Sequence, residues 1–191
     1  MSVSPAHVAR ISGPGGYCSG TLIGPDAVLT CGHFFTPASP YTATTCAVAG
    51  TRRRIAHLKR FPGTDIALAR LTKPVDGVDE YPDFGPTPLP LVRTVTLGFG
   101  GGATTPQTRV GRLVTGLPLA ISRGLTTVVR PAALIINTPR AIKGDSGGPV
   151  LFDGRIFGVQ SLILDPFGRN LGVATVSVVT PAIVEKLGAL R

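Results

Sequence analysis

The chain breaks repeatedly into short apolar, β-branched stretches bounded by turn residues, and that punctuation restricts it to an all-β architecture. Thr21-Leu22-Ile23, Ala27-Val28-Leu29-Thr30, Ile66-Ala67-Leu68-Ala69 and Val95-Thr96-Leu97 read as strands. So do Val128-Val129, Pro149-Val150-Leu151-Phe152, Ile156-Phe157-Gly158-Val159 and Val173-Ala174-Thr175-Val176. Gly24-Pro25-Asp26, Phe61-Pro62-Gly63, Gly100-Gly101-Gly102 and Asp153-Gly154 fall between them, where glycine and proline favour turns. Short strands at this spacing predict a sandwich or a barrel. The 25 Gly and 18 Pro are scattered, as frequent turns require, and 43% hydrophobic against 15% charged residues excludes a disordered chain. One helix is predicted, at Pro181–Leu187. Thr180 is its N-cap, Pro181 opens the first turn, and Ile183, Val184 and Leu187 share a face.

Gly144-Asp145-Ser146-Gly147-Gly148-Pro149 is a turn with chemical potential. Glycines leave the backbone around Ser146 bare, so the amides of Gly144 and Ser146 can point at one spot. A serine hydroxyl is a poor nucleophile unless a base takes its proton and an acid orients that base. Candidates for both lie upstream, in Leu29-Thr30-Cys31-Gly32-His33 and, 32 residues after His33, in Asp65-Ile66-Ala67-Leu68; Ser146 follows 81 residues after Asp65. Imidazole has a pKa near neutrality and two distinct nitrogens, which suits His33 to the base and leaves Asp65 to fix its tautomer. Taken singly, each has an ordinary structural explanation, as a turn, a core histidine or a strand-start cap. The ordered conjunction is what carries weight.

With Cys18-Ser19-Gly20-Thr21-Leu22-Ile23 ahead of the histidine segment, four segments in the order His, Asp, Ser resemble the trypsin/chymotrypsin superfamily of serine peptidases. The resemblance implies two packed six-stranded antiparallel β-barrels and a C-terminal helix. It implies a serine endopeptidase acting through His33, Asp65 and Ser146, by way of an acyl-enzyme, with an oxyanion hole from the Gly144 and Ser146 amides. Ser161 matches the family serine that lines the cleft and can bond the aspartate, and Phe99 matches a core segment of the second barrel. The Pro-rich stretch Tyr81–Pro90 then reads as a connector, with one barrel at about 1–80, the other at about 91–180 and the helix at about 181–189. A catalytically weak binding or sensor module of the same fold is the alternative.

Several positions depart from the family pattern. Only 17 residues precede Cys18, without an Ile-Val-Gly-Gly-type start, so no zymogen switch is expected and Asp145 must find another partner or be partly exposed. Arg140, six residues before Ser146, stands where the family often shapes the base of the P1 pocket. An arginine there excludes a trypsin-like preference and suits an acidic P1 residue, unless it points to solvent and leaves a small apolar pocket. Ile163 occupies a position where many relatives keep glycine. Restricted or small-P1 cleavage is the expectation. The family bridge from the Cys18 position to the residue after the histidine is missing, because Phe34 follows His33. A Cys18–Cys31 bridge, a Cys31–Cys46 bridge and three free thiols remain open.

A net charge of +9 raises the question of a polyanionic partner, and Arg52-Arg53-Arg54 with Lys59-Arg60 is the densest basic run. No aromatics interleave with it, so it reads as a solvated turn and strand edge, and no nucleic acid is expected. His7 and His57 read as surface or strand residues. The expected partner is a protein or peptide substrate, with no cofactor, metal or membrane implied. No apolar run reaches the roughly 18 residues of a bilayer span. Met1-Ser2-Val3-Ser4-Pro5 shows no leader pattern, which fits either a cytoplasmic protein or the mature part of a secreted one.

Overall fold

The computed structural model describes residues 1–165 and 168–189. Six strands, β1 (Val8–Gly13), β2 (Gly16–Leu22), β3 (Ala27–Cys31), β4 (Thr45–Val48), β5 (Thr51–Arg60) and β6 (Ile66–Leu71), close into an antiparallel barrel in the order β1-β2-β3-β6-β5-β4. A second barrel, ordered β11-β14-β13-β12-β7-β8, is built from β7 (Arg93–Gly98), β8 (Gln107–Leu117), β11 (Ala132–Thr138), β12 (Pro149–Phe152), β13 (Arg155–Ile163) and β14 (Val173–Val178). Between β8 and β11 lies a small hairpin of β9 (Ala120–Ile121) and β10 (Val128–Val129). Closure removes the unpaired sheet edges that an open antiparallel sheet would expose. Two six-stranded barrels and one helix are the architecture that the family resemblance implies.

Strand burial follows the pleat where one face meets solvent. Along β8, Arg109, Gly111 and Leu113 turn inward while Thr108, Val110 and Arg112 turn out. The five residues of β3 are all buried, because it packs one face on its own barrel core and the other against β13. That double burial is how the barrels meet, and the cleft opens at the ends of these two strands.

The helix, α1 (Pro181–Gly188), ends the described chain. Its cap is the expected one: the Thr180 side chain accepts a hydrogen bond from the Ile183 amide. Ile183 and Leu187 are buried in the apolar core that the first barrel shares with Leu97, Leu151, Ile156 and Val159 of the second, with Val184 at its margin. Among the described residues no helix is long and apolar enough to cross a membrane.

Two readings of individual residues need correction. Arg52, Arg53 and Arg54 do not form a turn: they lie in the first half of β5, in register with β4, where Arg52 and Arg54 are exposed, and the register with β6 begins only at Ile55. His7 is not at the surface. It is only 2% exposed, in the turn Pro5–His7, where Nδ1 meets the Ser4 backbone amide and Nε2 meets the Glu80 carbonyl at 3.0 Å. His57 lies on β5 and is exposed.

Candidate active site

Three segments from two barrels converge on the cleft. Gly32 and His33 follow β3, Asp65 immediately precedes β6, and Ser146 lies in the loop between β11 and β12. The pairing of Cys31 with Ile66 across β3 and β6 brings His33 and Asp65 together despite their separation in sequence.

Asp65, 2% exposed, grips His33 twice. Its Oδ2 lies 2.7 Å from His33 Nδ1, and its Oδ1 accepts the His33 backbone amide at 2.8 Å. The Ser161 hydroxyl, arriving from β13, also donates to Asp65 Oδ2. The carboxylate therefore fixes the position of the ring through Nδ1. The Ser146 hydroxyl donates to the Ser161 carbonyl at 3.0 Å, and among the described residues it makes no hydrogen bond to His33.

The loop that carries Ser146 is anchored from several sides. Ser19 on β2 donates its amide to the Ser146 carbonyl at 2.7 Å and its hydroxyl to the Gly144 carbonyl at 2.6 Å. Gly101 donates its amide to the Lys143 carbonyl at 3.0 Å, which turns the Gly144 N–H to the opposite side of that peptide. Gly144 has φ +101°, a conformation that favours glycine, and the Tyr17 ring packs directly on it. Among the described residues neither the Gly144 nor the Ser146 amide donates to any acceptor, so both remain free for a ligand oxygen.

Asp145 has the partner that the sequence left open, and it is not partly exposed. It is 1% exposed, and the Nε of Arg109, itself 5% exposed, lies 2.5 Å from its Oδ2. The amides of Gly100 and Ile142 donate to the same carboxylate at 2.9 and 2.8 Å. A buried carboxylate so compensated holds the backbone on either side of it.

Electrostatics around His33 combine opposing effects. Burial lowers its pKa, but the Cys31 sulfur and then the Asp65 carboxylate face the ring and together raise it. Burial likewise raises the Cys31 thiol, but contacts with Cys18 and then His33 outweigh that and lower it. Cys18 and Cys46 are pushed up by burial. All three cysteines are buried free thiols.

Residues 18–159 match the family model of the trypsin-like peptidase domain. The chain belongs to the trypsin-like peptidase family. Solved structures extend the likeness in shape. The active form of the Rv3671c protease from M. tuberculosis superposes with a TM-score of 0.75 at 18% identity, covering 97% of this chain and 80% of that one. The MamO protease domain from Magnetospirillum magneticum gives 0.73 at 23% identity, over 95% and 96% of the two chains. A Glu endopeptidase gives 0.75 at 17% identity, over 100% and 95%.

Other anticipated positions in this trypsin-like peptidase are less concentrated. Ile163 is half-buried at the end of β13, and Phe99 is buried just after β7. Arg140 is exposed and donates to the Asn170 carbonyl at 2.5 Å, with its stem against Gly172. Tyr17, Ser19 and Arg109 also hold the site, outside the residues that the motifs assign. Tyr17 and Ser19 flank Cys18 in the segment that carries the family resemblance, which is a signal for them. Arg109 has none, since a single arginine in a polar, alternating strand looks solvent-facing.

Proposed function

We propose that this peptidase domain hydrolyses peptide bonds with Ser146 as nucleophile, His33 as general base and Asp65 as the group that orients it. The observation that carries the reading is the 2.7 Å contact between His33 Nδ1 and a buried Asp65 that also holds the His33 amide. With Nδ1 engaged by the carboxylate, Nε2 is the nitrogen left to take the Ser146 proton. A rotation of the Ser146 side chain brings its hydroxyl from the Ser161 carbonyl to that nitrogen. Attack on the substrate carbonyl forms a tetrahedral intermediate whose oxyanion meets the free Gly144 and Ser146 amides, each such donor being worth about 3 kcal/mol. His33 then gives its proton to the leaving amine, and water repeats the sequence on the acyl-enzyme.

Arg109 supplies the cation for Asp145 from within the second barrel. The loop is thereby held without a liberated N-terminal amine, which supports action without a zymogen switch. For the P1 position, the outward Arg140 and the half-buried Ile163 support a small residue.

The turned-away Ser146 hydroxyl favours one other reading, a binding or sensor module with weak chemistry. Exposure of a peptide library to wild type and Ser146→Ala, with new termini identified by mass spectrometry, separates the two. The hydrolase reading expects cleavage after small residues, abolished in the variant. Retained peptide binding without cleavage by the wild type would support the module.

A further inference from the structure

We infer that the outer face of β1, β4 and β5 carries a subsite for an acidic side chain on the leaving-group side of the scissile bond. The inference rests on the proposed hydrolase reading, because it places the site relative to Ser146. The strand registers align Arg10, Ala47 and Arg52 across three neighbouring strands, and Ser12, Thr45 and Arg54 in the next row. Directly opposed residues share a face, so Arg10 and Arg52 stand on either side of the small Ala47, two strand spacings or about 10 Å apart. Phe99 and Thr104 wall the space above, closing a concave pocket of about 350 Å³ that Ser12 and Thr45 also line.

Two guanidinium groups facing one concavity repel each other unless an anion lies between them. Among the described residues neither has a carboxylate partner. Arg10 is half-buried and already oriented: Nη1 donates to the Ala103 carbonyl at 2.9 Å, and its Cζ lies 4.2 Å above the Tyr17 ring. The remaining guanidinium donors of Arg10 and the whole fork of Arg52 suit a carboxylate.

Tyr17 ties this pocket to the cleft. Its ring meets both the Arg10 guanidinium and Gly144, and its hydroxyl accepts the Gly102 amide. An extended peptide advances ~3.3 Å per residue, so a substrate whose carbonyl oxygen meets the Gly144 amide brings its second or third residue along this side to the pocket. The P1 candidates Arg140, Ser161 and Ile163 belong to the second barrel, whereas Tyr17 and Arg10 belong to the first. Tyr17 shares a concavity with the P1 candidate Ile163, whereas Arg10 and Arg52 line a separate pocket that holds no P1 candidate, and this separation assigns the acidic residue to the leaving-group side.

The test uses quenched peptides that differ only in having Ala, Glu or Lys at each of the first four positions after the cleaved bond. A partly exposed ion pair predicts about a fivefold higher kcat/KM for Glu over Ala at the second or third position. The preference fades in 1 M salt, where the screening length falls to about 3 Å. Arg10→Gln and Arg52→Gln each flatten the Glu-to-Ala ratio, and Arg52→Glu, at an exposed position, turns it toward Lys. Anisotropy of labelled leaving-side peptides on Ser146→Ala supplies a readout free of catalysis. Glu-dependent binding that Arg10→Gln removes would sustain the subsite even if no peptide were cleaved. Cleavage by the wild type without a Glu preference, or one that survives both glutamine variants, overturns the subsite and leaves the hydrolase reading intact. Absence of both cleavage and Glu-dependent binding overturns both.

Discussion

Arg109 and Asp145 form a buried ion pair, Nε to Oδ2 at 2.5 Å, inside the second barrel and next to Ser146 in the chain. The aspartate is shared with two backbone amides, so it links a barrel strand to the loop that would bind the oxyanion. A buried pair of this kind contributes less than its Coulomb attraction suggests, because both ions lose hydration. Breaking one side costs much more, since the other charge is left stranded.

Arg109→Met strands Asp145. Chemical denaturation should show a loss of about 3–5 kcal/mol, with hydrolysis falling as the loop shifts. Adding Asp145→Asn to the same chain should recover part of that stability, because the uncompensated charge is gone. A loss under about 1 kcal/mol in the single variant would mean that the pair does not organise the loop.

Gly144→Ala and Gly147→Ala should fail in different ways. A Cβ on Gly144 would lie 2.3 Å from Tyr17 Cε2, and a side chain that can swing away allows the variant to fold. The φ of +101° is strained for alanine, so the amide leaves its position and kcat falls by about a hundredfold or more. At Gly147 the added carbon meets the Ser19 backbone carbonyl at 2.0 Å, which cannot yield without disturbing β2. That variant should be recovered poorly as folded protein, as circular dichroism and yield would show. A fully active Gly144→Ala would remove its amide from the mechanism.

On the proposed mechanism His33 must be neutral to accept a proton, so activity rises with pH through its pKa. Because that pKa is raised above 6.5, the acid limb of kcat/KM should lie above 6.5, and Cys31→Ala, which removes one raising contribution, should shift it toward lower pH. The stability linkage has the opposite sense. The folded state holds the His33 proton more tightly than the unfolded chain, so this contribution is complete below about 6.5 and lost as pH rises through the folded value. An acid limb unmoved in Cys31→Ala would show that the sulfur does not influence the base.

The parts of the site that sequence reveals are those whose chemistry is local. Gly144 to Pro149 announces a bare serine turn, and the segments ending at His33 and beginning at Asp65 are short and ordered. Arg109 becomes visible only when the barrel closes and its strand register turns it inward. The same applies to His7, whose contact with the Glu80 carbonyl spans 73 residues. Strands with apolar runs are evident in the sequence, whereas β1, β4, β5 and β8 mix Arg, Ser and Thr into their outward face and lose the apolar signal. Arg10 and Arg52 belong to that concealed group: adjacent strands, not adjacent sequence, bring them to one pocket.

Reaction of the folded chain with a fluorophosphonate, followed by peptide mapping, tests the central claim most directly. The account predicts one adduct, on Ser146, absent from Ser146→Ala and strongly reduced in His33→Ala. An unlabelled wild type that is demonstrably folded, or an adduct on another residue, would contradict it.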